Sequence, residues 1–226
     1  MQLNQIICGN ALTELKKLPN ESMDCVITDP PYNINLGKNY YSNKKRKNYN
    51  EYVDKLPLHS KWIPEIYRVL KEKTHFYCFS GYTEITKLIQ ESIKIGFEIK
   101  GILVWDKKWT GWIAGAYGYK YKPKSELCCF FSKGKRKINN PETPDILQIK
   151  RIRGIEHPCP KPIELLEIFI QNSTNENDLI LDCFIGSGST AIAARNLKRN
   201  YLGIEINPKY VEMAERRINA TPKPLL

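Results

Sequence analysis

The chain has few histidines, no long apolar run and no ordered cysteine pattern, and each absence excludes a class of protein. With three histidines and no C-x-x-C motif, the sequence lacks a zinc ligand set; His157 and Cys159 would supply two ligands at most, so we expect no metal. No stretch approaches the roughly 18 consecutive apolar residues of a transmembrane helix, which predicts no membrane partner. The first residues lack a basic segment followed by an apolar run, so no secretory signal is expected. The seven cysteines, an odd number without disulfide spacing, predict reduced thiols and a cytoplasmic location.

Short apolar runs alternate along the chain with segments of helical period. The runs predict seven strands, at residues 6–8, 24–28, 76–79, 99–105, 127–131, 179–181 and 201–204. No helical pattern lies between the fourth and fifth of these, which predicts an antiparallel hairpin at the sheet edge. The alternation therefore predicts an α/β fold, with a doubly wound, mostly parallel seven-stranded sheet, in a single domain spanning residues 1–226.

Positive charge is in excess and is clustered. Lysine and arginine number 35 against 24 acidic residues, a net charge of +11 that favours a polyanionic partner. One basic cluster lies in residues 33–59, which are rich in Asn, Lys and Tyr, lack an apolar period and predict a mobile loop at the active site and the DNA. Solvated surface charge is the alternative for any single cluster. The predicted DNA-binding residues are Lys44, Lys45, Arg46, Lys47, Lys135, Arg136, Arg151 and Arg153.

A glycine-rich turn follows the predicted strand at 179–181 and leads into a helix. Gly186 and Gly188 let the backbone turn tightly and approach a ligand, while the helix offers free N–H groups. Glu205 ends the next strand, where a carboxylate can accept hydrogen bonds from both hydroxyls of a ribose. Taken alone, the pattern also fits a nicotinamide dinucleotide site, or glycines that serve only a tight turn.

The tetrapeptide Asp29-Pro30-Pro31-Tyr32 follows directly on another strand, at the edge where open α/β sheets bind ligands. An exocyclic amine on a base is a poor nucleophile, because its lone pair is delocalised into the ring. The Asp29 carboxylate and the Pro30 carbonyl could each accept one of its N–H groups, which would favour a pyramidal nitrogen able to attack a sulfonium methyl group. Tyr32 would stack on the base, which must leave the duplex. Alternatively, the prolines only end the strand and Asp29 is a turn residue.

Together, Asp29-Pro30-Pro31-Tyr32 and Phe184-x-Gly186-Ser187-Gly188 resemble the amino-group DNA methyltransferases, over nearly the whole chain. The tetrapeptide precedes the glycines, an order similar to the β group, a circularly permuted form of the methyltransferase fold. The resemblance implies S-adenosylmethionine as cofactor, double-stranded DNA as substrate, and catalytic roles for Asp29, Pro30, Pro31 and Tyr32. The cofactor-binding residues that it implies are Asn10, Asp29, His157, Lys161, Asp182, Phe184, Gly186, Gly188, Thr190 and Glu205.

Asp rather than Ser at position 29 resembles the N6-adenine enzymes more than the N4-cytosine enzymes, so methylation of adenine N6 at a specific sequence is expected. The sequence departs from the family at Asn10, where Asp is usual. The family's target-recognition region would correspond to residues 133–156, a short segment. Sequence readout could be shared with residues 109–121, the 33–59 loop or a second subunit. A homodimer and a cognate restriction endonuclease are further partners that the resemblance allows.

Other functions explain less of the sequence. A nicotinamide-dependent oxidoreductase would account for the glycine turn but not for the tetrapeptide or the charge of +11. A non-catalytic nucleic-acid-binding module would account for the charge but not for the paired motifs. Methylation of cytosine N4, or of RNA, keeps both motifs and stays an alternative.

Overall fold

The computed structural model describes residues 2–31, 59–108, 121, 123–152 and 160–222, apart from the side chain of Ser60. Several residues singled out from the sequence lie outside this part of the chain, and their roles stay predictions. They are Tyr32, Lys44, Lys45, Arg46, Lys47, Arg153, His157 and, except for His59, the predicted loop at 33–59. None of the described helices is long and apolar enough to cross a membrane.

The described strands form one twisted sheet of eight strands. They are β1 (Gln5–Cys8), β2 (Met23–Thr28), β3 (Leu70–Ser80), β4 (Glu98–Asp106), β5 (Ser125–Lys133), β6 (Ile146–Gln148), β7 (Leu179–Asp182) and β8 (Asn200–Glu205). Their order in the sheet is β1-β8-β7-β2-β3-β5-β4-β6. β5 runs antiparallel to both of its neighbours, and the remaining pairs are parallel. The predicted α/β fold with a mostly parallel sheet is confirmed.

Two details of the sheet differ from the prediction. The sheet has an eighth strand, β6, within the segment that the sequence indicated as a linker and target-recognition region. β6 pairs in parallel with β4, so the antiparallel pair β4–β5 does not lie at the sheet edge. The strand is three residues long and buries only its central leucine, while Ile146 is 51% exposed. So short a segment has too few residues to show an alternating pattern.

Helices connect the strands and cover both faces of the sheet. They are α1 (Ala11–Glu14), which continues into a 3-10 turn (Leu15–Lys17), α2 (His59–Val69), α3 (Ile85–Ile95), α4 (Ile163–Ser173), α5 (Ser189–Asn196) and α6 (Pro208–Ala220). The predicted cap of the last helix is confirmed: the side chain of Asn207 accepts a hydrogen bond from the Lys209 N–H at 3.0 Å, and Pro208 occupies the first turn.

The sheet separates two apolar layers. On one face, α2 and α3 bury Trp62, Ile66 and Leu88 against β2 and β3. On the other face, α4 and α5 bury apolar side chains, and Phe169 stacks on Tyr77 of β3 with ring centroids 4.6 Å apart. Coverage of both faces is the usual condition for a parallel sheet, and it leaves the strand ends as the place for a ligand site.

The topological switch point of the sheet lies between β7 and β2. These strands are neighbours, but β7 continues to β8 on one side and β2 continues to β3 on the other. Connections that diverge in this way open a crevice beyond the carboxyl ends of the two strands. Both of the predicted motifs begin there, because Asp29 follows β2 and the glycine turn follows β7.

Candidate active site

Two buried side chains join the carboxyl ends of β2 and β7. The Thr28 hydroxyl donates a hydrogen bond of 2.8 Å to Oδ1 of Asp182. The other carboxylate oxygen of Asp182 accepts one from the Thr190 hydroxyl at 2.6 Å, and the Phe184 N–H donates to Oδ1 at 3.1 Å. Asp182 therefore holds together the strand end and both ends of the glycine turn.

Burial raises the pKa of Asp182 to about 6, although the hydrogen bonds from Thr190 and Thr28 act in the opposite direction. Asp182 is 5% exposed, so its carboxylate has little solvent to replace the loss of hydration. The sequence predicted this residue as a cofactor ligand. The structure places it on the cavity wall, with three hydrogen bonds to the protein itself.

The predicted ribose ligand, Glu205, lies at the carboxyl end of β8 and is tied to the turn. Its Oε2 accepts a hydrogen bond from the Gly186 N–H at 3.0 Å, and its Oε1 accepts one from the Asn207 N–H at 2.8 Å. Burial raises the pKa of this carboxyl. A carboxylate has about four acceptor positions, so both oxygens retain capacity for hydroxyl donors.

The two glycines of the turn have different surroundings. Gly186, with a φ of +51°, lines the cavity. Gly188, with a φ of +81°, is not among the lining residues and caps the start of α5. A Cβ at Gly188 would lie 2.9 Å from the Cβ of Ala214 on α6. The same helix also supports the turn through Arg217, which donates a hydrogen bond to the Ser187 carbonyl. The structure thus explains Gly188 by helix packing.

A cavity of about 360 Å³ lies beyond the ends of β2, β7 and β8. Its volume is within the range of small-molecule sites. Eight of the residues predicted to bind the cofactor line it: Asn10, Asp29, Lys161, Asp182, Phe184, Gly186, Thr190 and Glu205. Pro31 also lines it, whereas Pro30 is buried. Asn10 has a second role, because its side-chain oxygen caps α1 by accepting from the Leu12 N–H at 2.9 Å.

Several cavity residues were missed in the sequence. Leu12, Ile206 and Tyr210 add apolar and aromatic surface at the Glu205 end of the cavity, and Ile206 is 54% exposed. Such a mixture of apolar walls and a few fixed polar groups suits a nucleoside ligand. The signal available was positional, since Ile206 follows directly on the strand-ending Glu205.

At the opposite end of the cavity, Asp29 terminates a chain of ion pairs. Lys161 pairs with Oδ2 of Asp29, and the same ammonium group lies 3.1 Å from Oε2 of Glu126. The other carboxylate oxygen of Glu126 is 2.7 Å from the ammonium of Lys107. Lys161 is 7% exposed and lies 4.7 Å from the ring centroid of Phe79. This packing fixes the position of the cation beside Asp29.

Glu126 is the member of this chain that sequence reasoning did not identify. Its segment was recognised as similar to the family, but no role was given to it. Burial by itself would raise the pKa of Glu126; Lys161 and Lys107 together hold it below its ordinary value. Glu126 comes from β5 and Lys161 from the start of α4, so only the folded sheet brings them together.

The described DNA-binding candidates lie at two different edges of the sheet. Arg151 follows β6 and lies at the carboxyl edge, beside the cavity. Lys135 and Arg136 follow the antiparallel β5, and the Arg136 carbonyl lies 3.3 Å from Nε2 of His75, near the amino end of β3. The register of β5 on β3 puts them roughly 20 Å from the cavity edge, at about 3.3 Å per residue. The prediction that Lys135 and Arg136 bind the same DNA as the active site is therefore disfavoured.

Neither metal nor disulfide chemistry is indicated in the part of the chain described above. Within it, no group of three or more His, Cys, Asp or Glu side chains is arranged to hold a metal ion. The six cysteines described carry free thiols, and five of them are buried.

The DNA methylase family of N6 and N4 methyltransferases matches residues 23–216. The chain is 32% identical to the type II methyltransferase M.HpaI of Haemophilus parainfluenzae, over 96% of this chain and 74% of that protein. It is 31% identical to the DNA adenine methyltransferase YhdJ of Escherichia coli (strain K12), over 95% and 82%. The solved M1.HpyAVI–SAM complex superposes with a TM-score of 0.71 at 25% identity, covering 94% of this chain and 98% of that one.

The family match includes both the Asp29 end and the Glu205 end of the cavity. The resemblance and the cofactor inferred from the sequence are thereby confirmed. The chain belongs to the amino-group DNA methyltransferases, enzymes that take their methyl group from S-adenosylmethionine.

Proposed function

We propose that the protein methylates the N6 amino group of adenine at a specific sequence in duplex DNA. The observation that carries this proposal is the position of Asp29. Its carboxylate lines the same cavity as the glycine turn and Glu205, at the opposite end from Glu205, and Lys161 holds it there. A methyl donor bound along the cavity would therefore lie next to an acceptor for the target amine.

The cavity residues fit the cofactor. S-adenosylmethionine, when bound, supplies a methyl group on a positively charged sulfur. We assign Glu205 to its ribose hydroxyls, because both carboxylate oxygens are already oriented by backbone N–H groups. Ile206 and Tyr210 are the apolar and aromatic contacts for its adenine at the same end. Lys161 and Asn10 line the cavity and complete the polar set.

Asp29 and Pro30 act on the target amine. One N–H of the amine donates to the Asp29 carboxylate and the other to the Pro30 carbonyl, so the nitrogen lone pair points towards the methyl group. The amine gains positive charge as its bond to carbon forms, and a fixed carboxylate beside it stabilises that charge. Lys161 and Glu126 keep the Asp29 carboxylate in one orientation, which reduces the reorganisation needed during the reaction.

Two observations favour adenine over cytosine. Asp stands at position 29, where the resemblance associates Ser with the N4-cytosine enzymes. In addition, a relative 31% identical to this chain is named a DNA adenine methyltransferase. Methylation of cytosine N4 is the outcome that would contradict this part of the proposal.

The test is methylation of mixed-sequence duplex DNA with S-adenosylmethionine, followed by single-molecule sequencing that reports both the modified base and its site. We expect N6-methyladenine in one short sequence context. Asp29→Ala should abolish transfer but retain most cofactor affinity, whereas Asp145→Ala, which removes an exposed carboxylate, should retain activity. Methyl transfer by Asp29→Ala within a few-fold of the wild type in single turnover would refute the assigned role. A homodimer, a cognate endonuclease and the cytoplasmic location stay predictions.

A further inference from the structure

Four exposed cations flank the cavity at the carboxyl edge of the sheet. They are Lys108, Lys124, Lys150 and Arg151, which we call the edge patch. Lys108 follows the end of β4, Lys124 precedes the antiparallel β5, and the other two follow β6. Because β5 runs in the opposite direction, its beginning lies beside the ends of β4 and β6, so all four residues share one edge.

Backbone hydrogen bonds hold the segments that carry these cations. The Lys107 N–H donates to the Lys124 carbonyl at 2.9 Å. The segment after β6 is joined to β4 twice, through the Ile149 N–H to the Asp106 carbonyl at 3.1 Å and through the Trp105 indole N–H to the Ile149 carbonyl at 2.8 Å. The edge patch is therefore mounted on the sheet, which gives its charges a defined position relative to the active site.

The edge patch is directly connected to the predicted catalytic carboxylate. Lys107 adjoins Lys108 in the sequence, and only Glu126 and Lys161 separate it from Asp29 in the ion-pair chain. The acidic groups in these same stretches are already engaged. Glu126 lies between two lysines, and Asp106 accepts a hydrogen bond from the Lys108 N–H at 3.0 Å. The acids at this edge are thus committed to the protein's own groups.

The dimensions of the edge patch suit a nucleic-acid backbone. Four strand spacings of about 4.8 Å separate β2 from β6, so the carboxyl edge extends roughly 19 Å from Asp29 to the end of β6. Each strand of B-DNA carries a phosphate about every 3.4 Å along the helix axis, so this span corresponds to roughly five phosphates. A base extruded into the cavity would leave its flanking backbone over this edge.

We propose that the edge patch binds phosphates of the duplex beside the target base, and so sets the side on which DNA approaches the cavity. The proposal rests on the proposed function, because it requires duplex DNA at Asp29. Exposed lysines also occur at the amino edge, where Lys73 precedes the paired part of β3 and Lys137 follows β5. What distinguishes the edge patch is its position, and the amino edge supplies a control of equal charge.

The test compares three double variants by fluorescence anisotropy on duplex DNA over a range of salt concentrations. Lys150→Ala with Arg151→Ala, and Lys108→Ala with Lys124→Ala, should each flatten the slope of log affinity against log salt by about 1.8, since each phosphate contact contributes about 0.9. Lys73→Ala with Lys137→Ala should leave the slope unchanged. Calorimetry should give all three variants the wild-type affinity for S-adenosylmethionine, which establishes that the cavity is intact.

An unchanged slope in both edge-patch variants would overturn the inference, as would an equal flattening in the amino-edge control. These outcomes are independent of the proposed function, because wild-type methyl transfer to DNA is measured in parallel. Wild-type protein that binds the cofactor but transfers no methyl group to DNA would refute the proposed function itself.

Discussion

Replacing Gly188 with alanine should destabilise the protein through helix packing and leave the cofactor cavity nearly unaffected. The φ of +81° is unfavourable for a residue with a Cβ, at a cost of about 1–2 kcal/mol. The new Cβ would also lie 2.9 Å from the Cβ and 3.2 Å from the Cα of Ala214, closer than the roughly 3.5–4.0 Å preferred by carbon atoms. Forcing α6 outward adds about 1–3 kcal/mol, so the expected loss is about 2–5 kcal/mol.

Thermal and urea unfolding measure this loss. In a domain of 226 residues, each kcal/mol lowers the melting temperature by roughly 2–4 °C, so Gly188→Ala should lower it by roughly 4–20 °C. Gly101→Ala is the matched control, because its φ is outside the left-handed region and a Cβ there would meet no atom within 4 Å. That variant should unfold close to the wild type. At temperatures where both variants are folded, calorimetry should give cofactor affinities within a few-fold of the wild type.

A second substitution separates the two costs. Adding Ala214→Gly to Gly188→Ala removes the close contact and leaves the backbone cost, so the pair should couple favourably by about 1–3 kcal/mol in a double-mutant cycle. If Gly188→Ala unfolds within about 0.5 kcal/mol of the wild type, or if Ala214→Gly gives no coupling, then α6 does not impose this glycine.

Three further predictions concern carboxyl groups of the site. Because burial raises the pKa of Asp182 from 3.8 to about 6, its contribution to stability is fully present below about pH 4 and is lost as the pH rises through 6. Asp182→Asn should remove this decline of about 3 kcal/mol from urea unfolding measured against pH; curves of identical shape for variant and wild type would contradict it. Glu205→Gln presents an amide N–H₂ to one of two backbone N–H donors, so calorimetry should show at least roughly tenfold weaker binding of S-adenosylmethionine, about 1.4 kcal/mol, and equal affinities would exclude the ribose role. Glu126→Gln removes the charge that holds the lysine partner of Asp29, so single-turnover transfer should slow by roughly tenfold at saturating cofactor; Glu98→Gln, from an exposed pair on β4, is the control, and equal rates in both would exclude a positioning role.

Local features of this protein follow from the sequence alone, because short-range interactions determine them. The helix at Ile85–Ile95 has the predicted bounds, since its apolar residues recur at helical spacing and Gly96 ends it with a φ of +117°. Asn207 and Pro208 begin the last helix for equally local reasons. The two motifs needed for methyl transfer could also be predicted, because each consists of consecutive residues at the end of a strand.

Other features depend on which strands become neighbours, and a linear sequence does not contain that information. The sequence shows basic clusters after residues 106 and 133, but only the antiparallel direction of β5 places Lys108 at the cavity edge and Lys135 at the opposite edge. β6 has one buried residue, and its pairing with β4 gives it an identity as a strand.

The same reason applies to the roles of single residues. Gly188 reads as a cofactor glycine in the sequence, and it becomes a packing glycine because α6 crosses it. Glu126 lies 35 residues before Lys161 and 97 after Asp29 in the printed numbering, and the folded sheet brings their charged groups into one chain of ion pairs. Local chemistry thus determined what the site contains, whereas long-range strand pairing decided which side chains support it, because hydrogen-bond register across the sheet sets those distances.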